Sequence, residues 1–211
     1  MKNDVLFKKR YDVSCETYEK FKIYHNEILL CQEKFNLIGK GTLEKIWSRH
    51  FSDCAEILKT FEFSKSKKIL DFGTGAGLPG LVLALLSEDR KLDHNITLVE
   101  SNIKKFGFLK KVIHKLNLNI SVFNERVENF SDRNFDIITA RAVAPIKKLL
   151  HYLRKFNLKN TALIFPKGKT WSKEIDTIKN NWKFNEYIVK NNQKLDATGG
   201  AIIIIRNLKK K

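Results

Sequence analysis

Cysteine is scarce: Cys15, Cys31 and Cys54 are the only three in 211 residues. They are odd in number, widely spaced and form no CxxC pair, so neither a disulfide framework nor a zinc site is expected, and no metal is assigned. They read as free thiols in a reducing cell. Long apolar runs are missing as well. The longest candidates, residues 78–86 and 201–205, fall far short of the ~18–20 residues that cross a bilayer, so no membrane partner is expected. The opening stretch, residues 1–10, has neither an apolar signal core nor a cleavage-site pattern, and the chain is expected in the cytoplasm. No internal repeat or low-complexity tract is present, which argues against a solenoid.

What is present suits one medium domain with a short N-terminal addition. Hydrophobic residues make up 43% and charged residues 30%, enough for a sizeable core and against disorder as the default state. The 40 basic and 23 acidic side chains leave a net charge of +17, and the excess is uneven. Residues 145–211 carry 16 basic and only 4 acidic side chains. Such a field attracts polyanions, nucleic acid above all. Only 8 of the 40 are Arg, and a compositional bias toward Lys would produce the same total.

Residues 13–62 read as helical. Ser14 is placed to cap a first helix, with Val13 and Tyr18 as a hydrophobic staple and Phe21, His25, Ile28 and Leu29 at helical spacing. Residues 35–41 end in two glycines and read as a connection; Thr42 is placed to cap a second helix carrying Ile46, Trp47, Phe51, Cys54, Ala55 and Leu58. A polar joint follows at 64–67. From there β-branched runs at 68–72, 96–100, 120–123, 135–140, 161–165, 184–189 and 201–206 alternate with helical stretches at 78–86, 103–116, 145–156 and 170–180. The alternation predicts an α/β fold, a doubly wound, mostly parallel seven-stranded sheet covered on both faces. The last two strands have no helix between them, and their connection, 190–200, ends in two glycines, so they are expected as an antiparallel hairpin. The expected division is a helical extension over 1–66, packed on a main domain over 67–211.

The most informative stretch is Ile69-Leu-Asp71-Phe-Gly73-Thr-Gly75-Ala-Gly77-Leu78-Pro79-Gly80. A strand runs into a glycine-rich turn and then a helix whose N-terminus favours anionic groups. From Gly75 the residues fit the dinucleotide pattern GxGxxG. From Asp71 they give an acid at the strand tip followed by three alternate glycines, and this phasing fits better because the first glycine directly follows the strand. A carboxylate there repels a pyrophosphate and welcomes an ammonium group, such as the one on S-adenosylmethionine. Glu100 ends the next strand, close to the ~20-residue spacing at which an acid grips ribose hydroxyls.

Residues 71–80, Glu100-Ser-Asn-Ile-Lys-Lys105, Arg126-Val-Glu128 and Thr139-Ala-Arg-Ala142 resemble successive motifs of the bacterial RsmG (GidB) methyltransferases, as do Asn36-Leu37, Arg49-His50 with Asp53, and Lys167-Gly168. The similarity spans about 36–168. Glu100 stands where Asp is common, Cys54 where Ser is frequent, and Pro166 interrupts a plainer stretch. The resemblance implies a class I, Rossmann-like methyltransferase that uses S-adenosylmethionine to methylate N7 of a guanine in small-subunit (16S) ribosomal RNA, acting on the RNA or on an assembled or precursor subunit. It implies that Gly73, Leu78, Val127, Glu128 and Arg141 line the cofactor pocket, with Asp71, Gly75, Gly77 and Glu100 from the glycine motif. Arg141 and Lys167 become candidates to grip guanine O6 or a phosphate, and His50 a candidate RNA or base contact.

Asn/Asp-Pro-Pro-Tyr is missing after residues 136–140, and no cysteine lies near a late strand end for covalent attack on a pyrimidine. Ring N7 needs neither device, since its lone pair points outward and no proton leaves, so direct in-line transfer without an obligatory general base is expected. Lys104, Lys105, Lys110, Lys111, Lys147, Lys148, Arg154 and Lys155 are expected along phosphates. The chain is expected to be a monomer. The alternatives are a small-molecule methyltransferase on the same fold and a non-catalytic nucleotide- or RNA-binding module; a pyridine-dinucleotide enzyme ranks last because of Asp71.

Overall fold

A computed structural model describes residues 3–60, 66–190 and 199–211. Part of the polar joint at 64–67 and most of the connection 190–200 lie outside the described residues. Helices α1 (Asn3–Tyr11) and α2 (Cys15–Gln32) are followed by a 3-10 turn (Lys40–Lys45), a π-helical turn (Ile46–Phe51) and α3 (Ser52–Thr60). Then come β1 (Lys68–Phe72), α4 (Gly80–Asp89), β2 (Asn95–Val99), α5 (Ile103–Leu116), β3 (Ser121–Phe123), β4 (Ile137–Thr139), α6 (Ile146–Tyr152), β5 (Ala162–Lys167), α7 (Trp171–Lys179), β6 (Trp182–Lys190) and β7 (Ala201–Lys210).

The strands form one seven-stranded sheet in the order β3-β2-β1-β4-β5-β7-β6. The first five run parallel, and β7 is antiparallel to both β5 and β6. The doubly wound, mostly parallel sheet expected from the alternation is therefore present, with the last two strands paired as a hairpin. The chain moves outward from β1 to β3 and then returns to β4 on the other side of β1. That reversal opens a crevice beyond the carboxyl ends of β1 and β4.

Strand periodicity sorts the core into two layers. Ile69, Ile96, Leu98, Ile137, Ile202 and Ile204 face α1 to α5, whereas Leu70, Phe72, Ile138, Leu163, Ile203 and Ile205 face α6 and α7. Both layers are apolar, so the central strands β1, β2, β4 and β5 are buried on both sides, while the edge strand β3 is largely exposed. Helix α4 is buried from Gly80 to Ser87, being held between the sheet and the N-terminal helices, which explains why its sequence is apolar all round. Phe7, Phe21, Trp47 and Phe51 join those helices, with ring centroids 4.9 Å apart for Phe7–Phe21 and 5.1 Å for Trp47–Phe51. Each such ring contributes about 1.5–3 kcal/mol on burial.

Two details differ from expectation. Helix α1 was not foreseen, because Phe7 and Tyr11 are its only buried residues and two positions make a weak helical pattern. Thr42 caps no α-helix. It sits inside the 3-10 turn, where its hydroxyl donates to the Gly39 carbonyl at 2.8 Å. Ser14 does cap α2, accepting from the Thr17 N–H at 3.2 Å.

Candidate functional site

The crevice is floored by the turn between β1 and α4. Gly73, Gly75 and Gly77 have φ of +60°, +60° and +90°, a region that side-chain-bearing residues rarely adopt. A Cβ at Gly77 would lie 2.3 Å from Leu81 Cδ1, and one at Gly73 2.7 Å from Val143 Cγ2. At Gly75 it would meet nothing closer than the Gly73 carbonyl at 3.9 Å, so that backbone faces open space.

Two carboxylates hold the turn. Asp71 is completely buried beneath it; its Oδ2 accepts from the Gly80 N–H at 2.8 Å and from the Thr74 hydroxyl. Its Oδ1 has no hydrogen-bond partner among the described residues, nor has the Thr139 hydroxyl, which is its register neighbour on β4. Burial outweighs the two bonds and pushes the Asp71 carboxyl up to about 7. Glu100 reaches the turn from the end of β2. Its Oε2 accepts from the Gly75 N–H and its Oε1 from the Asn102 N–H, both at 2.8 Å. From the far side, the buried Tyr24 hydroxyl of α2 donates to the Ala76 carbonyl at 2.6 Å. Nothing in the sequence marks Tyr24 out from other helical core aromatics, and sequence reasoning missed it.

Three cavities meet around this turn. One, of about 500 Å³, is lined by Gly73, Gly75, Leu78, Lys105, His50 and Arg141. A recess of about 110 Å³ lies on the other side of Gly73, beside Val127, Glu128, Ser101 and Val143. The largest, about 760 Å³, is lined by Arg49, Asp53, Arg141, Lys167, Lys169 and Glu174. Gly73 belongs to the first two cavities, and Arg141 with Ala142 to the first and third. The predicted site residues thus gather in one region, except that Asp71, Gly77 and Glu100 lie beneath the surface and line none of the three cavities.

Two of the basic side chains of the largest cavity, Arg141 and Lys167, are tied to the scaffold. Arg141 Nη1 donates to His50 Nδ1 at 2.9 Å, and Nη2 lies 3.4 Å from the Arg49 carbonyl and 3.6 Å from Asp53 Oδ2. Lys167 Nζ donates to the Ala144 carbonyl at 2.6 Å and pairs with Glu174 Oε2 at 2.9 Å. The same Glu174 oxygen accepts from the Ile146 N–H that opens α6. Lys167, with only 10% of its side chain exposed, therefore braces the loop after β4. Lys169, which sequence reasoning did not single out, is the more exposed lysine of this cavity. Among the lysines expected on phosphates, Lys104, Lys110, Lys111, Lys147, Lys148 and Lys155 are exposed and Lys105 is half-buried; Lys111 also pairs with the buried Glu27 at 2.7 Å.

The model of the GidB family, described as rRNA small subunit methyltransferase G, matches residues 17–203. The chain belongs to the GidB family. Its curated relatives include ribosomal RNA small subunit methyltransferase G of Jannaschia sp., 31% identical over 185 residues that cover 88% of this chain and 87% of the relative. The protein of that name from Bartonella tribocorum is 35% identical over 186 residues, covering 87% and 85%. Solved structures share the fold of this GidB chain at low identity. A mutant of MtNAS in complex with S-adenosylmethionine superposes with a TM-score of 0.61 at 17% identity, covering 95% of this chain and 82% of that one. A SAM dependent methyltransferase from Aquifex aeolicus gives 0.53 at 17%, covering 72% and 88%. No helix among the described residues of this GidB protein is long and apolar enough to cross a membrane.

Proposed function

We propose that the chain transfers the methyl group of S-adenosylmethionine to N7 of a guanine in small-subunit (16S) ribosomal RNA. The observation that carries this reading is the position of Arg141, in the wall shared by the glycine-floored cavity and the larger basic one. A group held on one side and a base presented from the other would meet beside it.

The residues present fit the cofactor. Gly75 offers an open backbone surface with the Glu100 carboxylate bonded to its N–H behind it, while Asp71, buried beneath the turn, shapes the cradle from within, a set suited to a nucleoside that carries hydroxyls and an ammonium. A pyrophosphate would meet the Glu100 carboxylate unfavourably. Both oxygens of Glu100 already accept a backbone N–H, yet a carboxylate has about four acceptor sites, which leaves room for ribose hydroxyls. Gly73, Gly75, Gly77 and Leu78 would form the cradle, and Val127 and Glu128 the adenine end. S-Adenosylmethionine supplies a methyl group on a sulfonium, and its transfer to a ring nitrogen such as N7 releases no proton.

The protein therefore has to align and enclose rather than remove a proton, and orientation accounts for most of the rate. Arg141 would hold guanine O6 or a flanking phosphate without donating to N7, which must stay free. Lys167 fixes the loop that carries Arg141. The same reading takes the protein to be a cytoplasmic monomer, with residues 1–66 an extension on the methyltransferase domain 67–211. Radiolabelled S-adenosylmethionine supplied with undermethylated small ribosomal subunits tests it. Label at N7 of one guanine is expected; label on another atom, or none with the cofactor bound, overturns it.

A further inference from the structure

We infer that His50 is a positioning residue: a neutral imidazole, protonated at Nε2, that holds the Arg141 guanidinium in the wall between the two large cavities. This rests on the role given to Arg141 above, and it assigns His50 a task other than touching RNA.

The direction of each hydrogen bond carries the argument. A guanidinium has donors and no acceptor, so the 2.9 Å contact requires His50 Nδ1 to accept. The proton then sits on Nε2, which lies 2.8 Å from the Thr42 hydroxyl oxygen. That oxygen is free to accept because its own proton goes to the Gly39 carbonyl at 2.8 Å. The polarity of the chain from Arg141 through His50 and Thr42 to the backbone is thus fixed at every step. An imidazolium would place a donor against a donor. Burial, with Arg141 and Arg49 close by, pushes His50 down to about 3 and agrees with the neutral form.

The π-helical turn explains how His50 comes to face β4. The Ser52 N–H donates to the Trp47 carbonyl five residues back, and the Ser52 hydroxyl donates to the same atom at 2.8 Å. One extra residue is thereby accommodated in the turn, as is common at functional sites. Trp47 and Phe51 stay in the aromatic core while His50 and the Arg49 carbonyl both reach Arg141. The guanidinium fork is spanned between them, with only 15% of the Arg141 side chain exposed. Without the His50 acceptor, Asp53 at 3.6 Å would draw Arg141 out of the shared wall.

Two near-isosteric variants separate this role from simple packing. His50→Asn keeps an acceptor near the Nδ1 position, whereas His50→Gln moves its amide toward the Nε2 position. Methylation of undermethylated subunits should retain most of kcat in H50N and lose about tenfold to a hundredfold in H50Q, with KM for S-adenosylmethionine and Tm similar in the two. Thr42→Val, which spares His50, should lower kcat in the same sense by a smaller factor. Equal losses in H50N and H50Q, or losses that follow Tm, overturn the inference. A 15N spectrum of the His50 ring reads the tautomer without any turnover. Protonated Nε2 and bare Nδ1 at neutral pH are expected, and protonated Nδ1 or a doubly protonated ring overturns the inference. An inactive wild-type protein with the expected tautomer would count against the proposed reaction and not against the hold on Arg141.

Discussion

The glycine-floored cavity and the basic cavity share Arg141 and Ala142 and are otherwise built in opposite ways. The first is walled by two short runs, residues 36–40 and 73–78, the second of them glycine-rich backbone steadied by carboxylates that accept its N–H groups. Its acids are turned inward, and its tolerance of side chains is small because added Cβ atoms strike Leu81, Leu98 or Val143. The second gathers six charged side chains from segments far apart in sequence, Arg49, Asp53, Arg141, Lys167, Lys169 and Glu174, over a lining of small and apolar residues from 142–145 and 200–202. A backbone site holds one ligand shape. A side-chain site holds charge, and its strength depends on salt and on how firmly each side chain is tied down.

That contrast is open to direct attack. The largest effect concerns salt. If 6–10 phosphate contacts form, rRNA affinity should fall ~10³–10⁵ between 50 and 200 mM salt, while affinity for S-adenosylhomocysteine stays nearly level. A flat RNA curve in a filter-binding titration would erase the distinction. Next is Arg141→Lys, which keeps the charge and loses the fork that spans His50 and the Arg49 carbonyl. Its kcat should drop about a hundredfold with unchanged S-adenosylhomocysteine affinity by calorimetry.

Gly80→Ala should do the reverse. A Cβ there would stand 2.2 Å from Leu98 Cδ2 and 2.8 Å from Asp71 Oδ2, so the turn must shift. Stability should fall by about 1–3 kcal/mol in a denaturant titration, and nucleoside binding should weaken with it. The last effect is a pH slope. With the Asp71 carboxyl pushed up to about 7, the folded protein retains a proton between pH ~4 and 7 that the unfolded chain has lost. Stability therefore declines as pH rises through that window. Asn at this position cannot ionise, so the Tm of Asp71→Asn should gain on the parent from pH 4 to 7 in the absence of nucleoside; parallel curves would show that Asp71 is not desolvated.

The same contrast explains what was legible in the sequence. The glycine turn was readable because strand, turn and helix follow one another without a break. Helix α5 was readable to the residue, since Asn102 caps its first N–H groups and Asn117 ends it in a left-handed conformation. The alternation of Ile202 to Ile205 across both sheet faces was readable as a strand. By contrast, burial of Asp71 follows from Gly80 settling over it, and the brace formed by Lys167 follows from Glu174 arriving on α7. The meeting of His50 with Arg141 joins residues 91 positions apart through a π-helical turn that no periodicity announces. Such contacts exist only after the layers have packed.

A crystal structure of the protein with S-adenosylhomocysteine bound would show which of the two cavities takes the nucleoside. The amino-acid end of the nucleoside is expected over Gly75, the ribose on the Glu100 side and the base in the recess beside Val127 and Glu128, with Arg141 at the border of the empty basic cavity. Density lodged in that basic cavity, or a glycine turn closed against the ligand, would contradict this placement.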